Sequence, residues 1–166
     1  SDRYEASELS AYHVGWMGSY QGYLPMESNL LLVCESALNQ LSHHGAVIEN
    51  CMPEYEMHEL WEAWLTLRHC SMSELIPLYD HPATKHLLKP ELQWEIEGNL
   101  KVTPTQIDEA KRARSNWCRV LEVLFKNYDL LALPAAQVFP FLADIHWPEN
   151  VGGRTMETYH RWMEVV

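Results

Sequence analysis

Residues 127–141 read Asn-Tyr-Asp-Leu-Leu-Ala-Leu-Pro-Ala-Ala-Gln-Val-Phe-Pro-Phe. Leu130, Leu131, Ala132 and Leu133 form a short unbroken apolar run, preceded by Tyr128 and Asp129 and closed by Pro134. A run of this length without alternation suits a strand covered on both faces, as in a parallel sheet. A turn of buried helix has the same look, but Pro134 and Pro140 argue against a long one. A well-marked helix leads into the run, so the order is helix, turn, buried strand, proline-broken loop. That is the end of a βαβ-type layer. It points to an α/β fold, with a small, mostly parallel sheet of about three strands and several covering helices.

The helix that delivers the chain to this strand starts at a capping box. Thr103 is the N-cap, Pro104 takes the first helical position and Gln106 closes the box. Ile107, Ala110, Trp117, Val120, Leu121 and Leu124 form its apolar stripe, and it ends near Asn127. Near the start of the chain, Tyr12–Met17 reads as a strand from its β-formers. Gly18–Pro25 reads as a loop, with Gly18, Gly22 and Pro25 as breakers. Ser28 is the expected N-cap of a helix whose Leu30, Leu31, Cys34, Ala37, Leu38 and Leu41 keep helical spacing. His43, His44 and Gly45 make a natural helix end, and Ala46–Ile48 opens a second strand. Strand, helix and strand within Tyr12–Asn50 make one βαβ unit, expected to be right-handed.

Between these regions the pattern is helical. Met57, Leu60, Trp61, Trp64, Leu65 and Arg68 recur at helical spacing within Glu54–Cys70. Ser73–Tyr79 is a short piece interrupted by Pro77, and Ala83–Leu88 and Pro90–Gly98 are two further short helices. After Phe141 the chain reads as irregular, with turns at Trp147-Pro148 and Gly152-Gly153, before a last helix within Thr155–Val166. No repeat, low-complexity tract or linker is visible, so residues 1–166 are expected to form a single domain.

Composition narrows the function classes. Twelve basic against twenty-three acidic residues give a net charge of −11. That disfavours nonspecific binding to nucleic acid or anionic membrane, which depends on neutralising phosphates. Lys111, Arg112 and Arg114 cluster, but their spacing places them on the wet face of a helix. No apolar run approaches the ~20 residues needed to span a bilayer. The polar start, Ser1-Asp2-Arg3, shows no signal-peptide pattern. Cys34, Cys51, Cys70 and Cys118 are widely spaced in apolar neighbourhoods and read as buried free thiols of a reducing compartment. The expected location is cytoplasmic.

No catalytic constellation is legible in the residues. His58 and Glu62 can share a helix face and His43-His44 is a pair, but HExxH and zinc-type spacings are absent, so no metal is expected. Gly15, Gly18 and Gly22 follow a strand without spelling a dinucleotide or phosphate loop. Glu91, Glu95 and Glu97 could hold an acid–base pair, but a solvated helix face is the simpler reading. Cys70 follows His69, yet adjacent helical side chains diverge, and no GxSxG nucleophile elbow occurs. Of the tryptophans, Trp61, Trp64 and Trp117 fall at core spacing. Trp147, in a loop, is the better candidate for a ligand pocket.

The segments nevertheless follow one another in a familiar order. Val14-Gly15-Trp16, then Gly22-Tyr23-Leu24-Pro25-Met26-Glu27, His44-Gly45-Ala46-Val47-Ile48-Glu49 and Tyr128-Asp129-Leu130-Leu131-Ala132-Leu133-Pro134 resemble segments of the amidase signature family. Pro140-Phe141, Trp147-Pro148 and Met156 with Tyr159, Trp162 and Met163 continue the series. The resemblance covers most of residues 12–163. It implies a serine hydrolase of carboxamides that works through an acyl-enzyme, with a Ser–cis-Ser–Lys triad and no cofactor. Nothing in this chain matches the Gly/Ser-rich core that carries that triad, so no catalytic residue is assigned here. The Gly-Leu-Pro segment expected after Trp162-Met163 is not seen either. Ala135 stands where relatives often have Thr after the strand proline.

The expectation is therefore a piece of an amidase-like protein that walls the substrate pocket and is inactive alone. Pro134, Ala135 and Trp147 are the pocket candidates, and a small-molecule amide is the parent's substrate. Apolar surface and strand edges left uncovered should make the piece self-associate as a homo-oligomer. The alternative is a free-standing binding or interaction module with an aromatic pocket.

Overall fold

The computed structural model describes residues 12–164. The element order is β1 (His13–Trp16), α1 (Leu30–His43), β2 (Val47–Asn50), α2 (Met57–Cys70), α3 (Ile76–Asp80), α4 (Pro82–Lys85), α5 (Pro90–Asn99), α6 (Pro104–Leu124), β3 (Leu130–Ala132), β4 (Asn150–Val151) and β5 (Arg154–Thr155). Two compact units can be distinguished: the chain up to Glu54 together with the chain from Leu121 onward, and Tyr55–Val120. One of the two crossings carries no linker signal, because α6 runs through it as an unbroken helix.

The first unit is a three-stranded sheet in the order β2-β1-β3, parallel throughout, with Val14 opposite Ile48 on one side and Leu130 on the other. This is the small parallel α/β sheet that the apolar run implied. The ladder extends past the strands: Asp129 N donates to His13 O at 2.8 Å, Met17 N to Ala132 O at 3.0 Å and Cys51 N to Trp16 O at 2.9 Å. Central β1 carries the core, with Val14, Trp16 and then Met17 buried. Its Gly15 is held to hydrogen by its neighbours. A Cβ there would lie 2.7 Å from Cys51 Sγ and 3.0 Å from Leu131 and Tyr128 side-chain carbons, so any larger residue must part the sheet.

Several expectations need correction. β3 is in the sheet, but not covered on both faces: it is an edge strand, and Leu130 is 49 % exposed. α1 begins after Asn29, which takes the left-handed conformation open to Asn, rather than after Ser28. Of its apolar residues only Leu30 is buried, while Leu32 is 62 % exposed. The four cysteines are free, but none is buried: Cys118 is exposed and the others are half-buried. Pro77 does not interrupt its helix. It sits in the first turn of α3, where a missing N–H costs nothing. The chain after Phe141 is less irregular than expected: β4 and β5 pair antiparallel around Gly152-Gly153. Those glycines have φ of 55° and 82°, the pair of left-handed residues a tight hairpin requires. The last helical piece is a 3-10 turn, Tyr159–Met163.

The second unit is helical. Its α6 carries the capping box as read: Thr103 N donates to Gln106 Oε1 at 2.9 Å and Gln106 N to Thr103 Oγ1 at 3.3 Å. Ile107, Ala110, Trp117 and Val120 are the covered side of α6, with Lys111, Arg112 and Arg114 exposed. Glu95 on α5 is not on a solvated face. It is 3 % exposed and takes a two-pronged pair of bonds from Arg68 on α2, both 3.0 Å. The next residue along, His69, places Nδ1 2.9 Å from Glu95 O and is buried.

Candidate functional site

Strand order places the site. β2 lies on one side of β1 and β3 on the other, so the connections leaving the carboxyl ends of β1 and β3 diverge from neighbouring strands. Open parallel sheets bind ligands in the crevice formed at such a switch point. The loop after β1 carries Ser19 to Glu27, and the loop after β3 carries Pro134 to Phe141. They are tied together: Gln137 Nε2 donates to Pro25 O at 3.1 Å, Glu27 N to Gln137 O at 2.8 Å and Phe139 N to Glu27 Oε2 at 2.7 Å. Gln137 is fully buried, and its Oε1 has no hydrogen-bond partner.

The hairpin and the final turn brace the first of these loops. Arg154 on β5 donates from Nη1 to Tyr23 O at 2.6 Å and from Nη2 to Gly22 O at 3.0 Å. A Cβ on Gly152 would stand 2.6 Å from Met26 O, so the hairpin turn abuts the loop backbone directly. The Tyr23 hydroxyl donates to Glu164 Oε1 at 2.6 Å, and Arg161 Nη1 donates to Glu164 Oε2 at 2.6 Å. Burial, followed by the bond to the Glu164 carboxylate, pushes the Tyr23 phenol up to about 12. Burial alone would lower the Arg161 guanidinium. Its bonds to Tyr23 and Glu164 outweigh that and raise it.

Between loop, hairpin and final turn lies a cavity of about 220 Å³, walled by Tyr23, Pro25, Arg154, Glu157, Arg161 and Glu164. Thr155 and the buried Met156 complete its lining. At ~30 Å³ per water it has room for about seven waters, below the range of a drug-sized pocket. Its polar equipment is two guanidiniums, two carboxylates, the Thr155 hydroxyl and a phenol held neutral. That set can orient a small polar molecule but supplies no activated nucleophile.

The residues expected from sequence lie elsewhere. Pro134 is fully buried and Ala135 exposed, both directly after β3 at the carboxyl end of the sheet, and Trp147 is half-buried. None of the three lines this cavity. His58 and Glu62 do share a helix face, 3.9 Å apart and exposed. Among the described residues no group of three or more His, Cys, Asp or Glu side chains is placed to hold a metal ion. Among the described residues no helix is long and apolar enough to cross a membrane. Nothing in the sequence joins the cavity residues to one another, because they share no motif. Tyr23 and Glu164 meet across 141 positions of sequence.

Neither a family model nor a curated protein matches the sequence. Among solved structures, the chain is similar to a bacterial aryl acylamidase belonging to the amidase signature enzymes, with a TM-score of 0.74 and 18 % identity. The likeness covers 98 % of this chain and 36 % of that one, so the chain spans about a third of that enzyme's length. At this identity the likeness establishes architecture: the small parallel sheet with its several helices is folded like part of an amidase signature enzyme.

Proposed function

We infer that these residues form the wall-building part of an amidase-like serine hydrolase, and that they do not hydrolyse amides by themselves. The whole protein would cleave a small-molecule carboxamide through an acyl-enzyme, in the cytoplasm, with no cofactor. The observation that carries this reading is the match of nearly the whole chain to part of one amidase signature enzyme. The resembling segments also fall at consistent places. Val14-Gly15-Trp16 is the central strand, Gly22–Glu27 is the loop at its carboxyl end, and Tyr128–Pro134 leads through β3 to the neighbouring loop.

Inactivity of the chain alone is supported by what three of its serines do. Ser71 Oγ donates to Arg68 O, Ser115 Oγ to Lys111 O, and Ser19 Oγ accepts from Gly22 N. These hydroxyls serve the backbone and are not poised beside a base. Self-association is part of the same reading. Leu32, Val33, Leu130 and Phe125 are all about half exposed or more, and both outer strands of the sheet are edges.

The test compares the purified chain with a longer product of the same gene that includes the flanking sequence, on simple aliphatic and aryl amides. The expected result is turnover by the longer protein only. Turnover by the chain alone, lost on mutating one of its own residues, would refute the inactivity. A longer protein with no amide hydrolysis would refute the amidase reading and favour a binding module.

A further inference from the structure

We propose that the cavity between the loop after β1, the β4–β5 hairpin and the final turn is a binding site for a small zwitterion, of the size and charge pattern of a free α-amino acid. The charges on its walls are of two kinds. Glu164 and Arg161 satisfy one another, and Tyr23 closes that group. Arg154 and Glu157 are different. Arg154 uses two of its five N–H donors on the carbonyls of Gly22 and Tyr23, so its positive charge is fixed in place but meets no carboxylate. Glu157 lines the same cavity and has no hydrogen-bond or ion-pair partner among the described residues. The hairpin thus presents one unneutralised cation and the residues just after it one unneutralised anion, both facing one small space.

A ligand with a single negative charge would satisfy Arg154 and oppose Glu157. A cation would do the reverse. A molecule carrying a carboxylate and an ammonium a few ångströms apart satisfies both, and charge-assisted bonds of this kind are the stronger class. Pro25 and the buried Met156 give the remaining wall an apolar stretch, which suits an aliphatic side chain. The guanidinium is also preorganised, because its two backbone bonds hold the planar fork before any ligand arrives. The site stands on this arrangement and not on the amide-hydrolase reading, so either can fail without the other.

The test is titration of the ¹⁵N-labelled chain with L-leucine, with acetate and methylammonium as single-charge probes, followed through amide signals. L-Leucine should shift residues 22–26 and 153–158 saturably, and each single-charge probe should bind at least about tenfold more weakly. Glu157→Gln changes an exposed side chain with no structural partner and should weaken L-leucine about tenfold while binding acetate more tightly than the parent does. Arg154→Lys should weaken both carboxylate probes. The proposal is overturned if L-leucine shifts nothing in those segments up to solubility-limited concentrations, if acetate binds as well as L-leucine, or if Glu157→Gln binds L-leucine as the parent does.

Discussion

Replacing Gly98 by Ala sets two physical effects of opposite sign against each other. Gly98 is the penultimate residue of α5, and in a helix Ala is favoured over Gly by about 1 kcal/mol. Propensity alone therefore predicts stabilisation. The built Cβ, however, falls on the imidazole of His69, 2.5 Å from Nε2 and closer still to Cε1 and Nδ1. The ring cannot simply swing away. It is buried, its Nδ1 is 2.9 Å from Glu95 O, and its ring centroid lies 4.9 Å from that of Trp94, the two planes tilted by 54°. Displacing it loses a buried hydrogen bond, worth ~1–3 kcal/mol, and strains a packed contact by a similar amount.

Sterics should win, with a net destabilisation of about 2–4 kcal/mol. For a chain of this size that lowers the melting temperature by roughly 5–15 °C. Urea unfolding followed by tryptophan fluorescence and by far-ultraviolet circular dichroism gives the value. The double variant His69→Ala/Gly98→Ala separates the causes. With the ring removed, the added methyl should cost nothing or stabilise slightly, giving a coupling of at least ~2 kcal/mol. A Gly98→Ala protein as stable as the parent would refute the reasoning, and so would a double variant whose losses simply add.

Three further outcomes follow from other parts of the structure. Arg68→Ala strips a buried carboxylate of its guanidinium and should cost about 3 kcal/mol. Glu95→Gln leaves the half-exposed Arg68 free to reach water and should cost about half of that; equal losses in denaturant melts would contradict the asymmetry in burial. The Tyr23 phenol is raised to about 12 in the fold against about 10 unfolded, so its contribution to stability is complete below pH 10 and is lost as pH rises from 10 to 12. Tyr23→Phe should flatten that part of the stability–pH curve and remove the latest step from the phenolate absorbance titration; a titration unchanged by the substitution would rule this out. Light scattering should show the chain self-associating, with Leu32→Glu and Leu130→Lys shifting it toward monomer; a strictly monomeric parent at high concentration would count against uncovered apolar surface as the cause.

The parallel sheet was legible because its signals are local. The β-formers of Tyr12–Met17, the apolar run at Leu130–Leu133 and the capping box at Thr103 each act within a few residues. What sequence hides is whatever depends on a partner far along the chain. Leu130 reads as doubly covered because an unbroken apolar run cannot say how much of the covering layer is present. Glu95 reads as solvated until Arg68, 27 residues earlier, is found across from it on another helix. Two-residue strands such as β4 and β5 are too short to show a period, and only their Gly-Gly turn is visible. The cavity is the extreme case, since its walls come from near both ends of the chain and no spacing rule connects Tyr23 with Arg154 or Glu164.

The position of β1 in the middle of the sheet has a consequence for how the protein is made. β2 follows β1 after a single helix, and the two can zip together early in synthesis. β3 is separated from β2 by roughly 80 residues, a long loop to close before the other flank of the sheet can form. During that interval the nascent chain offers the bare edge of β1, the His13 carbonyl and the Met17 amide included, to whatever lies nearby. Slowing translation just past Asn50 should therefore lower the yield of native protein, whereas a pause after Leu133 has cleared the ribosome should not.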